Sequence, residues 1–336
     1  MANLAESARS WMRSPISRPL LAMALLFLIL AAITPSFYRI ELHDGHLYGN
    51  LIDILKNGAP LIIIALGMTL VIAVEGIDIS VGSVLAISGA AGIYLLDGYP
   101  LWIALLAALA VGVLCGMWNG MLVAFLQIQP MVATLILLTI GRGIAQLITS
   151  GQILSTSVTS YTYLGKGYLL GLPFPIFIAA GIFALLYLFK TKTAFGLFLE
   201  AAGGSKTASL YAGIKPRMIL MIAYTIVGAC AAIGGIIVSA NLGSADSNNA
   251  GLWIELDAIL AVVIGGTSMR GGRFYLGGTV VGALFIQTLT TAIYALGIPP
   301  QSILLVKAVV VILVCLLQSD VFRAKMTFAR KKVAVK

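Results

Sequence analysis

Long apolar runs alternate along this chain with brief polar interruptions, and that rhythm sets the elements. Ala59–Val74, Trp102–Gln127 and Val280–Gln301 contain no charged residue. A helix needs about 20 apolar residues to cross a hydrocarbon core. The pattern predicts helical spans over roughly 16–37, 51–74, 81–97, 101–126, 130–148, 175–190, 218–241, 252–268, 275–296 and 301–319. Membrane strands would instead alternate in segments of about ten residues, and no such alternation occurs. The expected fold class is an all-α polytopic membrane protein of about ten transmembrane helices, one transmembrane domain over 1–336.

Charge then orients the spans. Sixteen of the 21 Lys and Arg fall before the first span, in the loop 191–217 and its edge, at 270–273, or in the tail. The opposite loops keep only Arg39 and Lys166. Basic residues translocate poorly, so both termini are expected to be cytoplasmic, with residues 1–15 and the basic tail 320–336 inside. The first apolar run follows Arg9, Arg13 and Arg18 as in a signal peptide. Bulky residues continue through "ITPSFY", so an uncleaved first span is expected. The net charge of +9 thus reads as topology, not as a nucleic-acid footprint, and the tail "RAKMTFARKKVAVK" suits anionic lipid headgroups.

Composition agrees, at 60% hydrophobic and 10% charged with mean hydropathy +1.05; soluble domains carry about 25% charged residues. Cys115, Cys230 and Cys315 sit inside apolar runs and form no disulfide framework or metal spacing. His43 and His46 flank Asp44 in a loop that reads as solvated, not as a metal site. Gly112, Gly116 and Gly120 recur at spacing four, as do Gly278 and Gly282, a pattern for close helix packing in lipid.

Polar groups at membrane depth are functional candidates. The densest cluster is "AVEGIDISVGS", residues 73–83, where Asp78 is expected to cap the next helix at the Ser80 and Val81 amides. Short glycine-flanked breaks of this kind border transport pathways, although a plain tight turn fits the residues equally. Asp78, Ser80, Ser83, Asn119, Thr134, Arg142 and Gln146 are the candidate pathway residues; for Arg142 a structural carbonyl or carboxylate partner is expected over a substrate. Lys307 also interrupts a span. The segment 241–273 begins without a basic residue, as an outer loop should. Asp246, Asn248 and Asn249 there are candidates to meet a soluble binding protein or a sugar, and Trp253 is a candidate interface anchor. No nucleophile elbow, H-E-x-x-H or set of convergent acids with a histidine is present, so catalysis in this chain is not expected.

"EAAGGSKTASLYAGIKPR", residues 200–217, looks like a phosphate loop but lacks its spacing. That motif needs adjacent Gly-Lys after a strand, whereas Ser205 separates Gly204 from Lys206 and a membrane span precedes. The segment instead predicts a short helix pair. Thr207, Leu210, Tyr211 and Ile214 form an apolar stripe fit for a groove, Gly213 a helix end, and Pro216 the start of the next span.

"GIDISVGSVLAISGA", "GMWNGMLVAF", "IQPMVATLILLTIGRGIAQLITSGQI" and "GLWIELDAILAVVIGGTSMRGG" resemble membrane subunits of bacterial ATP-binding-cassette sugar importers, the ribose/xylose/galactose group. The resemblance runs from about residue 50 to 318. "IDILKNGAP", "DGHLYGN" and "SADSNNAGLWIELDAILAVVIGG" are most similar to the galactofuranose type. It implies a type II-like importer permease in the bacterial inner membrane. Expected partners are a cytoplasmic ATPase that holds ATP and Mg, a second permease subunit (a second copy or a related chain), a periplasmic sugar-binding protein and membrane lipid; no nucleic acid and no cofactor in this chain are expected. The resemblance places the coupling helix at Ser205–Ile214, so Ser205, Lys206, Thr207, Ala208, Leu210, Tyr211, Gly213 and Ile214 would seat in the ATPase. The "EAA" at 200–202 lies too early for that group's Ala-rich turn, so Glu200 reads as incidental. The alternative is an ion-coupled secondary carrier, which needs a carboxylate at mid-membrane. Asp53, Glu75, Asp78, Glu255 and Asp257 all fall near predicted span ends, which argues against it.

Overall fold

The structure is a computed structural model that describes residues 17–43, 45–299 and 302–318. The predicted N-terminal segment 1–15 and tail 320–336 lie outside the described residues. The helices are α1 (Ser17–Ile33), α2 (Asn50–Ala73), α3 (Val81–Leu96), α4 (Leu101–Ala124), α5 (Pro130–Thr149), α6 (Thr159–Lys166), α7 (Phe174–Lys192), α8 (Ala194–Gly204), α9 (Lys206–Tyr211), α10 (Pro216–Leu242), α11 (Ile254–Ile264), α12 (Leu276–Ala295) and α13 (Ile303–Gln318). Each of the ten predicted spans holds a helix. Six of them (α2, α4, α5, α7, α10 and α12) are long and apolar enough to cross a bilayer. The chain is a multi-pass helical membrane protein.

Among the described residues α1, α3 and α13 are shorter than those six, and α11 departs furthest from expectation. Residues 252–268 were expected to cross, but α11 has eleven residues and is about 16 Å long, roughly half a hydrocarbon core. Trp253 in the left-handed region starts it, and Gly265 and Gly266 end it, Gly266 at φ 89. The loop before α11 therefore dips into the bundle to meet it, as the approach of Gly251 to Gly82 and Leu85 shows.

α2 is the central post, with every residue from Gly58 to Ala73 buried. α10 lies beside it and also packs on α3 and α4. The α4 glycine face makes this possible: a Cβ on Gly112 would strike the Gly228 carbonyl, and one on Gly116 the Tyr224 carbonyl. Helices with no hydrophobic drive between them gain from such backbone contact. α4, α5 and α7 bury only one face and leave leucines and isoleucines exposed on the other, as lipid or another subunit requires.

Interhelical polar pairs fasten the bundle. Thr69 and Thr279 hydroxyls meet at 2.8 Å across α2 and α12, and Tyr161 and Ser239 at 2.6 Å across α6 and α10. Lys307 Nζ donates to Asp257 Oδ2 at 2.8 Å, with both side chains mostly covered; the lysine in α13 is thereby neutralised. Three antiparallel two-stranded ribbons close loops at the bundle edge. They are β1 (Glu41–His43) with β2 (His46–Tyr48), β3 (Leu154–Ser155) with β6 (Ser244–Ala245), and β4 (Tyr168–Leu169) with β5 (Leu172–Pro173). His46 stacks on Tyr168 at 4.4 Å, which covers part of a loop expected to be fully solvated.

Candidate functional site

The break between α2 and α3 lies inside the bundle. Tyr224 OH donates to the Ile77 carbonyl at 3.4 Å, and Tyr224 is eight residues into α10, about 12 Å from its start. Asp78 next to it is 2% exposed. Its Oδ1 accepts from the Ser80 amide at 2.9 Å and the Ser80 hydroxyl at 2.6 Å. Asn119 on α4 donates to the Ser80 hydroxyl at 2.9 Å and, more weakly, to both Asp78 oxygens at 3.4 and 3.5 Å. Ser83 donates to the Ser80 carbonyl at 2.8 Å and the Leu137 carbonyl at 3.3 Å. Four of the seven pathway candidates thus form one buried knot joining α3, α4 and α5. The expected bond from Asp78 to the Ser80 amide forms, but Ser80 itself is the N-cap of α3 and no side chain caps that helix.

Arg142 and Gln146 lie apart from this knot, on the C-terminal half of α5. Arg142 Nη1 donates to the Ala250 carbonyl at 2.6 Å and the Ser247 carbonyl at 3.2 Å, the structural partners expected for it. Gln146 donates to Asn248 Oδ1 at 2.7 Å, and Thr149 to the Ser247 hydroxyl at 2.9 Å. Two groups of candidates that the sequence kept separate, pathway and outer loop, are therefore one clasp between α5 and the loop 243–253. Asp246 folds onto its own loop and accepts from the Asn248 and Asn249 amides and from Asn249 Nδ2. The Asn249 side chain, first, and those amides with Arg142 hold its carboxyl below the usual aspartate range, against a smaller opposing push from burial. Asn248 and Asn249 remain exposed. Thr134 bonds back to the Pro130 carbonyl of its own helix at 2.9 Å and joins neither group.

Sequence reasoning missed Glu255. It was placed at a span end, yet it is 7% exposed, because α11 starts where the loop 243–253 has already dipped into the bundle. Its Oε2 and Asn119 Oδ1 find no hydrogen-bond partner among the described residues. The inward approach of Gly251 to Gly82 would have been needed to find it, and no single-chain pattern reports that contact. Beside the clasp, α5 carries an open groove of about 670 Å³ lined by Ile140, Gly143, Ile144, Gln146, Leu147 and Ser150.

At the other end of the bundle α8 and α9 form the expected short helix pair. Ser205 caps α9 by accepting from the Ala208 amide at 3.2 Å, and Gly213 at φ 80 turns the chain toward Pro216. Lys206, Thr207 and Ala208 are exposed, with Leu210 63% and Tyr211 88% exposed. Ile214 corrects the predicted stripe: α9 ends at Tyr211, so Ile214 leaves the helical phase and packs on the bundle core. The outward apolar patch is Thr207, Leu210 and Tyr211. Glu200 bonds Lys190 at 3.3 Å, and the same ammonium lies 3.8 Å over the Phe274 ring, so this glutamate anchors α8 to α7.

The family model described as branched-chain amino acid transport system / permease component matches residues 50–315. The chain belongs to that permease family. Among its relatives, the galactofuranose transporter permease of Escherichia coli K12 is 51% identical over 92% of this chain and 92% of its own. A fructose import permease of Bifidobacterium longum is 40% identical over 96% of this chain and 93% of its own. A ribose import permease of Haemophilus influenzae is 35% identical over 89% and 91%. No solved structure matches the chain. The family is a transport permease component and not an enzyme class, so the polar knot and the clasp are parts of a permease.

Proposed function

We propose that this permease is the membrane subunit of an ATP-driven monosaccharide importer in the bacterial inner membrane, and that its sugar is galactofuranose. The observation that carries the reading is the likeness to the galactofuranose transporter permease across nearly the whole of both chains. The other relatives named above import fructose and ribose, which supports a monosaccharide as the cargo class. In this reading all ten helices described for the predicted spans cross or enter the bilayer, with both termini cytoplasmic. A separate ATPase holds ATP and Mg and grips Thr207, Leu210 and Tyr211, while Ser205 caps the helix that presents them. A periplasmic binding protein docks on the exposed Asn248 and Asn249. The α5 groove faces a second permease subunit, and the sugar passes between the two. Arg142 and Gln146 then act by holding the outer loop, and Asp78, Ser80, Ser83 and Asn119 by holding the break open to one side.

The test is uptake of radiolabelled galactofuranoside-derived galactose, fructose and ribose by cells that carry the permease with and without its ATPase. Uptake that persists without the ATPase overturns the reading. One observation favours the ion-coupled alternative, namely that Asp78 and Glu255 are buried carboxylates, although both lie at helix ends as expected. Collapsing the proton and sodium gradients at constant ATP separates the two, since only the carrier then stops.

A further inference from the structure

The inner end of α2 is a junction of three chain segments, and of its residues only Lys206 was among the candidate site residues read from sequence. Gly272 donates its amide to the Ala73 carbonyl at 2.9 Å. Gly203, at the end of α8, lies so close that a Cβ there would strike that same Ala73 carbonyl and the Gly272 amide. Gly271 lies against the Glu75 side chain and the Gly203 carbonyl. Lys206, the first residue of α9, pairs with Glu75 at 3.7 Å. Glu75 itself has φ 62, a conformation that costs a non-glycine residue energy and persists only where surroundings over-determine it.

Three residues beyond Glu75 is Asp78. Gly76 is hemmed between the Tyr224 hydroxyl and Val71, and Tyr224 holds the Ile77 carbonyl. A displacement of α9 therefore has a short covalent and contact path to the polar knot, with no flexible linker between. The turn at 268–272 gives it a second path, toward α11 and Glu255.

We infer that Glu75 is a positioning residue that couples α9 to the Asp78 break, with Lys206 as its partner and the Gly203–Ala73–Gly272 contact as the pivot. This rests on the reading of α9 as the helix that an ATPase moves. The Lys206–Glu75 pair is half exposed, so it acts as an alignment device that forms and opens within a transport cycle; a deeply buried pair would resist breaking.

Two measurements test it. The first uses the full-length permease alone in nanodiscs and reads hydrogen–deuterium exchange over residues 74–80. Glu75→Gln should raise that exchange about twofold to fivefold, the worth of a half-exposed ion pair. The charge swap Glu75→Lys with Lys206→Glu should restore it. Unchanged exchange in Glu75→Gln, or no rescue by the swap, overturns the inference whatever the permease transports. The second uses the assembled complex in vesicles and reads sugar taken up per ATP hydrolysed. Glu75→Gln should lower that ratio about twofold or more while the ATPase still co-purifies, and the swap should recover it. An unchanged ratio also overturns the inference. If wild-type vesicles show no ATP-dependent uptake, the importer reading fails while the exchange result still decides the junction.

Discussion

Asn119 shows how much a single residue decides at membrane depth. Its amide supplies Ser80 with a donor and Asp78 with two weaker ones, in a place where water cannot substitute. Removing one partner from a buried polar group costs about 1–3 kcal/mol. Asn119→Ala should destabilise the permease by that amount, measured as thermal unfolding in nanodiscs. Thr139, exposed and bonded only to the Leu135 carbonyl of its own helix, is the control, and Thr139→Ala should shift the midpoint little. Equal shifts for both would remove Asn119 from the knot. The membership of this knot was legible in sequence because polar residues stand out in apolar runs. Glu255 was not, because its burial depends on a loop that bends back from another part of the chain.

At the scale of elements, α9 is a six-residue helix that owes its existence to its ends. Six residues nucleate poorly alone, so the Ser205 cap and the left-handed Gly213 define it. Leu210 projects from it with 63% of its surface exposed. Leu210→Asp should leave the permease as stable as before, while capture of the ATPase in pull-down from membranes falls tenfold or more, since a carboxylate entering an apolar groove is strongly disfavoured. Full capture by that variant would take α9 out of the contact. The helix and its limits could be read from Ser205, Gly213 and Pro216. The inward direction of Ile214 could not, because a periodic stripe continues on paper past a residue that breaks the period. Similarly, α11 is apolar enough for a span but is cut short by Trp253 and the Gly265–Gly266 pair, whose conformations the apolar count does not register.

For the whole molecule, the bundle separates its charges. Lys166 lies at the end where the clasp sits, next to β4, and is near Gly243; Arg217 is the second residue of α10, at the end that holds α9. Under the proposed orientation, a cysteine replacing Lys166 should react with a membrane-impermeant maleimide in intact spheroplasts, and one replacing Arg217 only after lysis. The reverse pattern would invert the permease in the membrane. Helix content was legible throughout, since each predicted span holds a helix, while six of those helices are long and apolar enough to cross. The meeting of the loop 243–253 with α5 was not legible, because Arg142 and Ser247 are far apart in sequence and nothing local announces their bond.

The brevity of α11 also bears on how the chain is made. Insertion machinery passes segments to lipid one at a time when each is apolar and long enough to span on its own. Eleven residues, led by Glu255 and Asp257 in the first turn, do not meet that standard. α11 must wait beside the machinery until α12 arrives, and then slide into a slot already shaped by α2 and α3. Assembly of this permease thus has a built-in order, with its final closure depending on helices finished long before.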